Sequence, residues 1–241
     1  MIMELFYKEN MVANDESITF SSEESRHLSK VLRKKVGEMI IVTNGEGLEW
    51  KGQIVSNDVR KATAKKTDVF FHPNPLIPLH IAIAPPKSND RLEWFLEKAT
   101  EIGVSQITPL LCEHSERKAI KPERLNKILI GGLKQSAQFF LPKFNPITSF
   151  ETFVKLNHPQ TKLIAHCHKG NKKALHQIEN LNCEILIMIG PEGDFSDREI
   201  RIAHSHDFEV ITLGAQRLRT ETAGVVACSM VATLREISKV E

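Results

Sequence analysis

The sequence predicts an α/β protein with a mostly parallel sheet, preceded by a small β-rich domain. From Leu79 onward, apolar runs of strand length alternate with segments of helical period, whereas the residues up to about Phe71 form short β-rich runs. Between the two textures, HPNPLIP (His72–Pro78) places three prolines within seven residues. Strands separated by helical crossovers belong to a parallel sheet covered on both faces. Proline cannot donate to a ladder and biases the residue before it toward extended backbone, so the Pro-rich stretch reads as a linker. The expected boundary is near residue 75, with a β domain over 1–74 and an α/β domain over 75–241.

In the first domain, IIVTNGEGLEWKGQIV (Ile40–Val55) sets two β-rich runs on either side of Asn44-Gly45, a dipeptide suited to the positive φ of a tight hairpin turn. One helical stretch is expected over Ser22–Lys34. In the second domain, LHIAIA (Leu79–Ala84) reads as a buried strand. Asp90 with Glu93 resembles a capping pair, opening a helix with Leu92, Phe95, Leu96, Ala99 and Ile102 on one face and Gly103 at its end. Further strands are expected at Gln106–Leu110, Lys162–His166, Glu184–Ile189 and Phe208–Leu213. Helices are expected at Pro122–Phe139, Phe150–Leu156, Lys172–Asn180, Ser196–His206 and Thr220–Ile237. There is no internal repeat or low-complexity tract.

With 241 residues, 41% of them hydrophobic, the chain has the means to bury a core of ordinary size. The opening MIMELFYKEN lacks the basic-then-apolar pattern of a secretory signal, and no apolar run approaches the roughly 18 to 20 residues of a membrane span. A cytoplasmic protein is expected. Cys112, Cys167, Cys183 and Cys228 form no CxxC pair, which favours reduced, mostly buried thiols over a disulfide frame or a zinc site. The net charge of +2 announces no nucleic-acid partner, but its distribution says more. Arg26, Lys30, Arg33, Lys34 and Lys35 lie together without an intervening acid, and Arg60, Lys61, Lys65 and Lys66 form a second cluster. Such runs are commonly a solvated face, and they also suit phosphate contacts.

Two segments stand out. In IGPEGDFSDREI (Ile189–Ile200), Gly190 and Gly193 permit close backbone approach, Pro191 fixes its own φ, and Ser196 with Glu199 forms a capping box for the helix behind. In LGAQRLRTETAG (Leu213–Gly224), Gly214 opens a turn, Gln216–Arg219 cross it, and the last helix begins at Thr220. Ligands of parallel sheets sit beyond the carboxyl ends of the strands, so two neighbouring strands would aim glycine-rich loops at one place. GPEG alone fits an ordinary strand-to-helix turn equally well. The chain has neither GxGxxG nor GxxxxGK[ST] nor GxSxG, so the common dinucleotide, nucleoside-triphosphate and hydrolase readings lose support. His166, Cys167 and His168 invite a metal reading, but alternating positions at a strand end face opposite ways, which argues against a shared ion.

Together these two segments resemble the ribosomal RNA small subunit methyltransferase E family, within the knotted SPOUT class of methyltransferases. HLSKVLRKKVGE (His27–Glu38), KSNDRLEWFLEKATEIGVSQITPL (Lys87–Leu110) and LKQSAQ (Leu133–Gln138) extend the resemblance over nearly the whole chain. Asp194 stands where the family usually has glycine, Gln138 where it has arginine, and Ala215, Gln216 and Arg217 where Pro-Arg-Ile is common. Arg219, Glu221 and Thr222 are in register.

The resemblance implies a PUA-like RNA-binding β-barrel domain followed by a methyltransferase domain with a trefoil knot, acting as a homodimer without a metal. It implies methyl transfer from S-adenosyl-L-methionine to N3 of one uridine in 16S ribosomal RNA, either free or in the small ribosomal subunit. Cofactor contacts are then expected from Ile189, Gly190, Pro191, Glu192 and Gly193 in one loop, and from Leu213, Gly214, Gln216 and Leu218 in the other, largely through the main chain. Glu192 would meet the cofactor's ammonium or serve its own turn. Arg219 is expected to stabilise the uracil oxygens or a phosphate, and Glu221 to orient Arg219 or accept the proton. A structural Arg219–Glu221 pair at the helix start is the plainer reading of the same residues. The cluster Arg26, Lys30, Arg33, Lys34 and Lys35 would hold RNA phosphates. Alternatives are another SPOUT RNA methyltransferase, or a non-catalytic RNA-binding protein that retains the fold.

Overall fold

The computed structural model describes residues 4–74, 77–158, 161–179 and 181–238. The chain divides into two compact units, residues 1–75 with 133–141, and residues 76–132 with 142–241. The expected boundary at residue 75 lies outside the described residues.

The first unit contains β1 (Leu5–Tyr7), β2 (Ser17–Thr19), α1 (Ser22–Arg26), β3 (Met39–Thr43), β4 (Leu48–Ser56) and β5 (Thr63–Phe71) in one sheet of order β1-β3-β4-β5-β2. Only β1 and β3 run parallel; the other pairs are antiparallel. Alternation along β4 turns Leu48, Trp50 and Ile54 inward, where they pack with Phe6, Leu28, Ile40 and Val42. Ser21 caps α1 by accepting from the Glu24 amide at 3.2 Å, and the helix continues into a π-helical turn over His27–Val31.

The hairpin at Asn44 is wider than the dipeptide predicts. Strands β3 and β4 are joined by Asn44–Gly47, in which Gly45 and Gly47, and not Asn44, take positive φ of 80° and 89°. The loop opens because its main chain pairs elsewhere: the Gly47 amide donates to Phe139 O and the Leu141 amide to Gly45 O, both at 2.8 Å. These partners follow α3 (Pro122–Gln135), which stops short of the expected Phe139; Ala137 takes φ 52° and the chain then extends.

The second unit is built on a parallel sheet. In chain order it contains β6 (Leu79–Ile83), α2 (Asn89–Ile102), β7 (Gln106–Leu111), most of α3, β8 (Lys143–Phe144), β9 (Thr148–Ser149) and α4 (Phe150–Val154). There follow β10 (Thr161–Ala165), β11 (Lys173–Ala174), β12 (Ile185–Ile189), α5 (Asp197–Ser205), β13 (Glu209–Thr212) and α6 (Thr220–Ile237). The sheet order is β11-β13-β10-β12-β6-β7-β8, with β9 pairing β7. Every residue of the central strands β6 and β12 is buried, as expected of a sheet covered on both faces. One core cluster gathers Phe150, Phe153, Phe195 and Phe208 with Leu186 and Met188. Helix α6 packs on α2, β6 and β12.

Three local expectations change. The α2 N-cap is Ser88, without a side-chain cap bond, and Asp90 sits in the first turn, where a negative charge complements the helix dipole. Gly103 does end that helix, at φ 98°. Lys172–Asn180 is not a helix: Lys173 and Ala174 pair with Ile211 and Thr212 as an edge strand, and a 3-10 turn spans Leu175–Gln177. Sheet-edge pairing overrides local propensity there; Asn180 lies outside the described residues. Strands β12 and β13 are not neighbours, since β10 lies between them.

At the far end of α6, Arg235 gathers main-chain oxygens from two segments. Its guanidinium donates to Ile77 O at 2.6 Å, Leu181 O at 2.8 Å and Cys183 O at 2.7 Å. No helix among the described residues is long and apolar enough to cross a membrane.

Candidate active site

Three loops at the carboxyl ends of β12, β10 and β13 enclose a cavity of about 630 Å3. The first leads from β12 into α5. Its helix end is anchored by the expected capping box: Ser196 Oγ accepts from the Glu199 amide at 3.2 Å, and Glu199 Oε2 accepts from the Ser196 amide at 2.9 Å. The other oxygen of the buried Glu199 accepts from the Glu113 amide at 2.9 Å, so the box also braces the loop after β7. A Cβ on Gly190 would lie 3.0 Å from the Phe195 ring, and one on Gly193 would lie 3.0 Å from His114 Cβ. The loop is thus closely backed by its own neighbours.

The second loop runs from β13 into α6. Thr212 Oγ1 donates to Gly214 O at 2.9 Å, and Gly214, at φ 138°, has open space where a Cβ would stand. Two bonds draw this loop to the first: Thr220 Oγ1 donates to Gly190 O at 3.0 Å, and Arg217 Nη2 to Glu192 O at 3.3 Å. The intervening strand β10 supplies the third wall through Ala165, His166 and Cys167, while Lys172 Nζ donates to His166 O at 2.6 Å.

Most of the residues expected to hold cofactor come together. Ile189, Gly190, Pro191, Glu192, Leu213, Gly214, Gln216 and Leu218 all line the cavity; Gly193 is not among the lining residues. Glu192 also reaches away from it, with Oε1 accepting from the Lys87 amide at 3.0 Å. Arg117 holds the same stretch by donating to Lys87 O at 2.7 Å. Arg219 lines the cavity, is exposed, and makes no ion pair among the described residues. Glu221 does not line it. That carboxylate is buried, with Oε1 3.6 Å from Arg91 Nε, so its ion pair is with Arg91 and not with Arg219.

Sequence reasoning missed the third wall. His166, Cys167 and Lys172 follow a strand whose carboxyl end obeys the same rule as its two neighbours, and that rule was the available signal. Among the described residues His166 Nδ1, which is buried, has no hydrogen-bond partner, and burial, with Lys172 nearby, holds the imidazole pKa below its ordinary value. Among the described residues there is no group of three or more His, Cys, Asp or Glu suited to a metal ion.

The basic cluster lies in the first unit. Arg26, Lys30, Arg33 and Lys35 are exposed, whereas Lys34 is partly buried, with Nζ 3.5 Å from Glu38 Oε2 and 3.9 Å from Glu4 Oε2. In the second cluster Lys66 is likewise paired, 2.6 Å from Glu16.

A cavity of this size, with an unpartnered polar atom and an open glycine on its walls, fits a nucleoside-sized ligand read largely by main-chain groups. Comparison with known proteins points the same way. The family model of an RNA methyltransferase domain matches residues 72–232, and that of an RNA methyltransferase PUA domain matches residues 20–66. Ribosomal RNA small subunit methyltransferase E of Synechocystis sp. is 31% identical over 91% of this chain and 74% of that protein. The protein of the same name from Buchnera aphidicola subsp. Acyrthosiphon pisum is 32% identical over 89% of this chain and 87% of its own. A crystal structure of ribosomal RNA small subunit methyltransferase E from Neisseria gonorrhoeae, bound to S-adenosyl methionine, aligns with a TM-score of 0.87 at 28% identity, covering 97% of this chain and 98% of that one. With an RNA methyltransferase domain, a PUA domain ahead of it and relatives 31% and 32% identical over about nine-tenths of this chain, the chain belongs to the ribosomal RNA small subunit methyltransferase E family.

Proposed function

We propose that this protein uses S-adenosyl-L-methionine to methylate N3 of one uridine in 16S ribosomal RNA. The observation that carries the reading is the joining of two glycine-containing loops, through Thr220–Gly190 and Arg217–Glu192, around a cavity of about 630 Å3. The relative from Neisseria gonorrhoeae, folded alike over nearly its whole length, binds S-adenosyl methionine.

Bound there, the cofactor would supply an electrophilic methyl group on a sulfonium. The main chain of Ile189–Glu192 and of Leu213–Leu218 would hold its adenine, because close amides and carbonyls read the edges of a flat base while apolar neighbours cover its faces. Uracil N3 carries a proton and is a poor nucleophile until that proton leaves. The protein assists by aligning N3 with the methyl carbon and by stabilising the negative charge that develops on the base. Arg219, exposed at the cavity and free of ion pairs among the described residues, is assigned that charge. Glu221, which pairs with Arg91 and does not line the cavity, is given no part in the transfer.

The target uridine must be unpaired or flipped out, because N3 is buried in a Watson-Crick pair. Arg26, Lys30, Arg33 and Lys35 meet phosphates, with Lys34 adding less because acids already surround it. The working form is a homodimer in the cytoplasm, where its ribosomal substrate is made. Mass spectrometry of 16S RNA from cells lacking this protein tests the assignment. One uridine should lose one methyl group and regain it when the protein is restored; an unchanged methylation pattern overturns the reading.

A further inference from the structure

Asp194 holds a side chain in a backbone conformation, φ 65°, that glycine adopts freely and other residues seldom do. Its carboxylate is used twice. Oδ1 accepts from the adjacent Phe195 amide at 2.9 Å, a bond within the turn itself. Oδ2 accepts from the amide of Cys167 at 2.7 Å, and that bond is not local, since 27 positions separate the partners. It ties the loop after β12 to the loop after β10. His168 packs against the same junction, with Nε2 2.8 Å from Phe195 O and 3.7 Å from Asp194 Oδ2, and Nδ1 3.2 Å from Asp197 Oδ1. On the other side, His114 Nδ1 lies 3.0 Å from Asp194 O.

Cys167 and His166 form the cavity wall that this bond reaches. With glycine at position 194, the usual residue of the family, the Cys167 amide would lose its anionic acceptor. The wall would then be held by strand β10, by the Lys172 bond to His166 O and by the contacts of His168 with Phe195 O and Asp197.

We propose that Asp194 is a positioning residue for the cofactor, a carboxylate latch that sets the His166–Cys167 wall against the loop after β12. The inference rests on the reading of the cavity as the S-adenosylmethionine site. It assigns the Asp194 side chain a role in cofactor affinity through a main-chain amide.

Asp194→Gly and Asp194→Asn test it by calorimetric titration with S-adenosylmethionine, hydrogen exchange over residues 165–170, and thermal melting. Glycine suits the backbone angle, so relief of strain offsets lost bonds and the melting temperature should stay near that of the parent. The affinity of Asp194→Gly should fall about five- to tenfold, less than the full weight of one charge-assisted hydrogen bond because His168 still holds the same segment, with faster exchange at Cys167 even without cofactor. Asp194→Asn keeps one acceptor oxygen and a residue tolerant of the left-handed region, so its loss should be smaller. Parent affinity in Asp194→Gly, unchanged Cys167 exchange, or a drop in melting temperature matching the drop in affinity would each overturn the latch. Failure of the unaltered protein to bind S-adenosylmethionine would instead overturn the reading of the cavity, and the latch's role in affinity with it.

Discussion

The Thr220 hydroxyl donates to the Gly190 carbonyl at 3.0 Å, joining the first turn of α6 to the end of β12 across 30 positions of sequence. Both residues are buried, so no water replaces the donor if it is lost. Thr220→Val keeps the shape and removes the hydroxyl. It should cost about 1 to 3 kcal/mol of stability, the penalty of an unsatisfied buried carbonyl, and weaken S-adenosylmethionine binding. Thr220→Ser, which retains the donor, should recover most of the affinity. Denaturant melts and calorimetry on the two variants decide the point.

Arg219 contributes to the cavity rim without serving any internal ion pair among the described residues. Arg219→Ala should therefore fold and take up cofactor normally. Its methylation rate should drop by a factor on the order of one hundred or more, as for other groups that stabilise developing charge. A parent rate in single-turnover assays would remove Arg219 from the mechanism.

The four thiols differ in access. Cys167 is exposed and lines the cavity, Cys183 is partly buried, and Cys112 and Cys228 are buried. Burial pushes the Cys228 thiol up to about 12 and likewise raises Cys112, with the charge of Glu199 adding to the latter. A thiol reagent should modify Cys167 fastest and the two buried thiols only on unfolding. Saturating S-adenosylmethionine should slow the fast phase, and Cys167→Ser should abolish it. A fast phase indifferent to the cofactor would place the ligand elsewhere.

Two helical glycines should respond oppositely to alanine. A Cβ on Gly224 of α6 would stand 2.6 Å from the Phe95 ring and 3.0 Å from Ile83 Cδ1, whereas one on Gly131 of α3 meets nothing within 4 Å. Gly224→Ala should destabilise by about 1 to 3 kcal/mol through overpacking. Gly131→Ala should stabilise by roughly 0.8 to 1 kcal/mol through helix propensity. Equal effects in thermal melts would contradict this packing of α6 on α2.

Acid stability should depend on His80. Its Nε2 lies 2.7 Å from Thr108 Oγ1, and burial, aided by the charges of His158 and Lys143, lowers its pKa to about 4. The unfolded chain therefore takes up this proton first. The stability contributed by the neutral form is complete above the ordinary value near pH 6.5 and declines as pH falls toward 4, by about 3 kcal/mol in all. His80→Gln should be less stable at neutral pH and should flatten the loss between pH 6.5 and 4. An unaltered slope in denaturant melts would show that other groups govern it.

Much of this was legible in the sequence where a local rule and the tertiary environment agree. The apolar runs of β6 and β12, the capping box at Ser196, the left-handed stop at Gly103 and the span of α6 all rest on short-range chemistry that the packed structure leaves intact. The failures lie where distant partners compete. Lys173 and Ala174 gave up a helix for an edge against β13, and Asn44 gave up a two-residue turn because Gly45 and Gly47 bond to the segment after α3. The site followed the same division. Two walls carried glycine signals, whereas the third, at His166 and Cys167, carried only the strand-end rule, and its place in the site follows from β10 lying between β12 and β13. Spacing alone put Glu221 beside Arg219; the turn of α6 faces it toward α2, where Arg91 is its partner.

Helix α6 touches the cavity with its first turn and, through Arg235, grips the chain just before β6 and β12 with its last. The carbonyls of Ile77, Leu181 and Cys183 that it gathers lie at the opposite end of the strands from the cavity loops. One helix thus spans the sheet, from the rim of the cavity to the amino ends of its central strands.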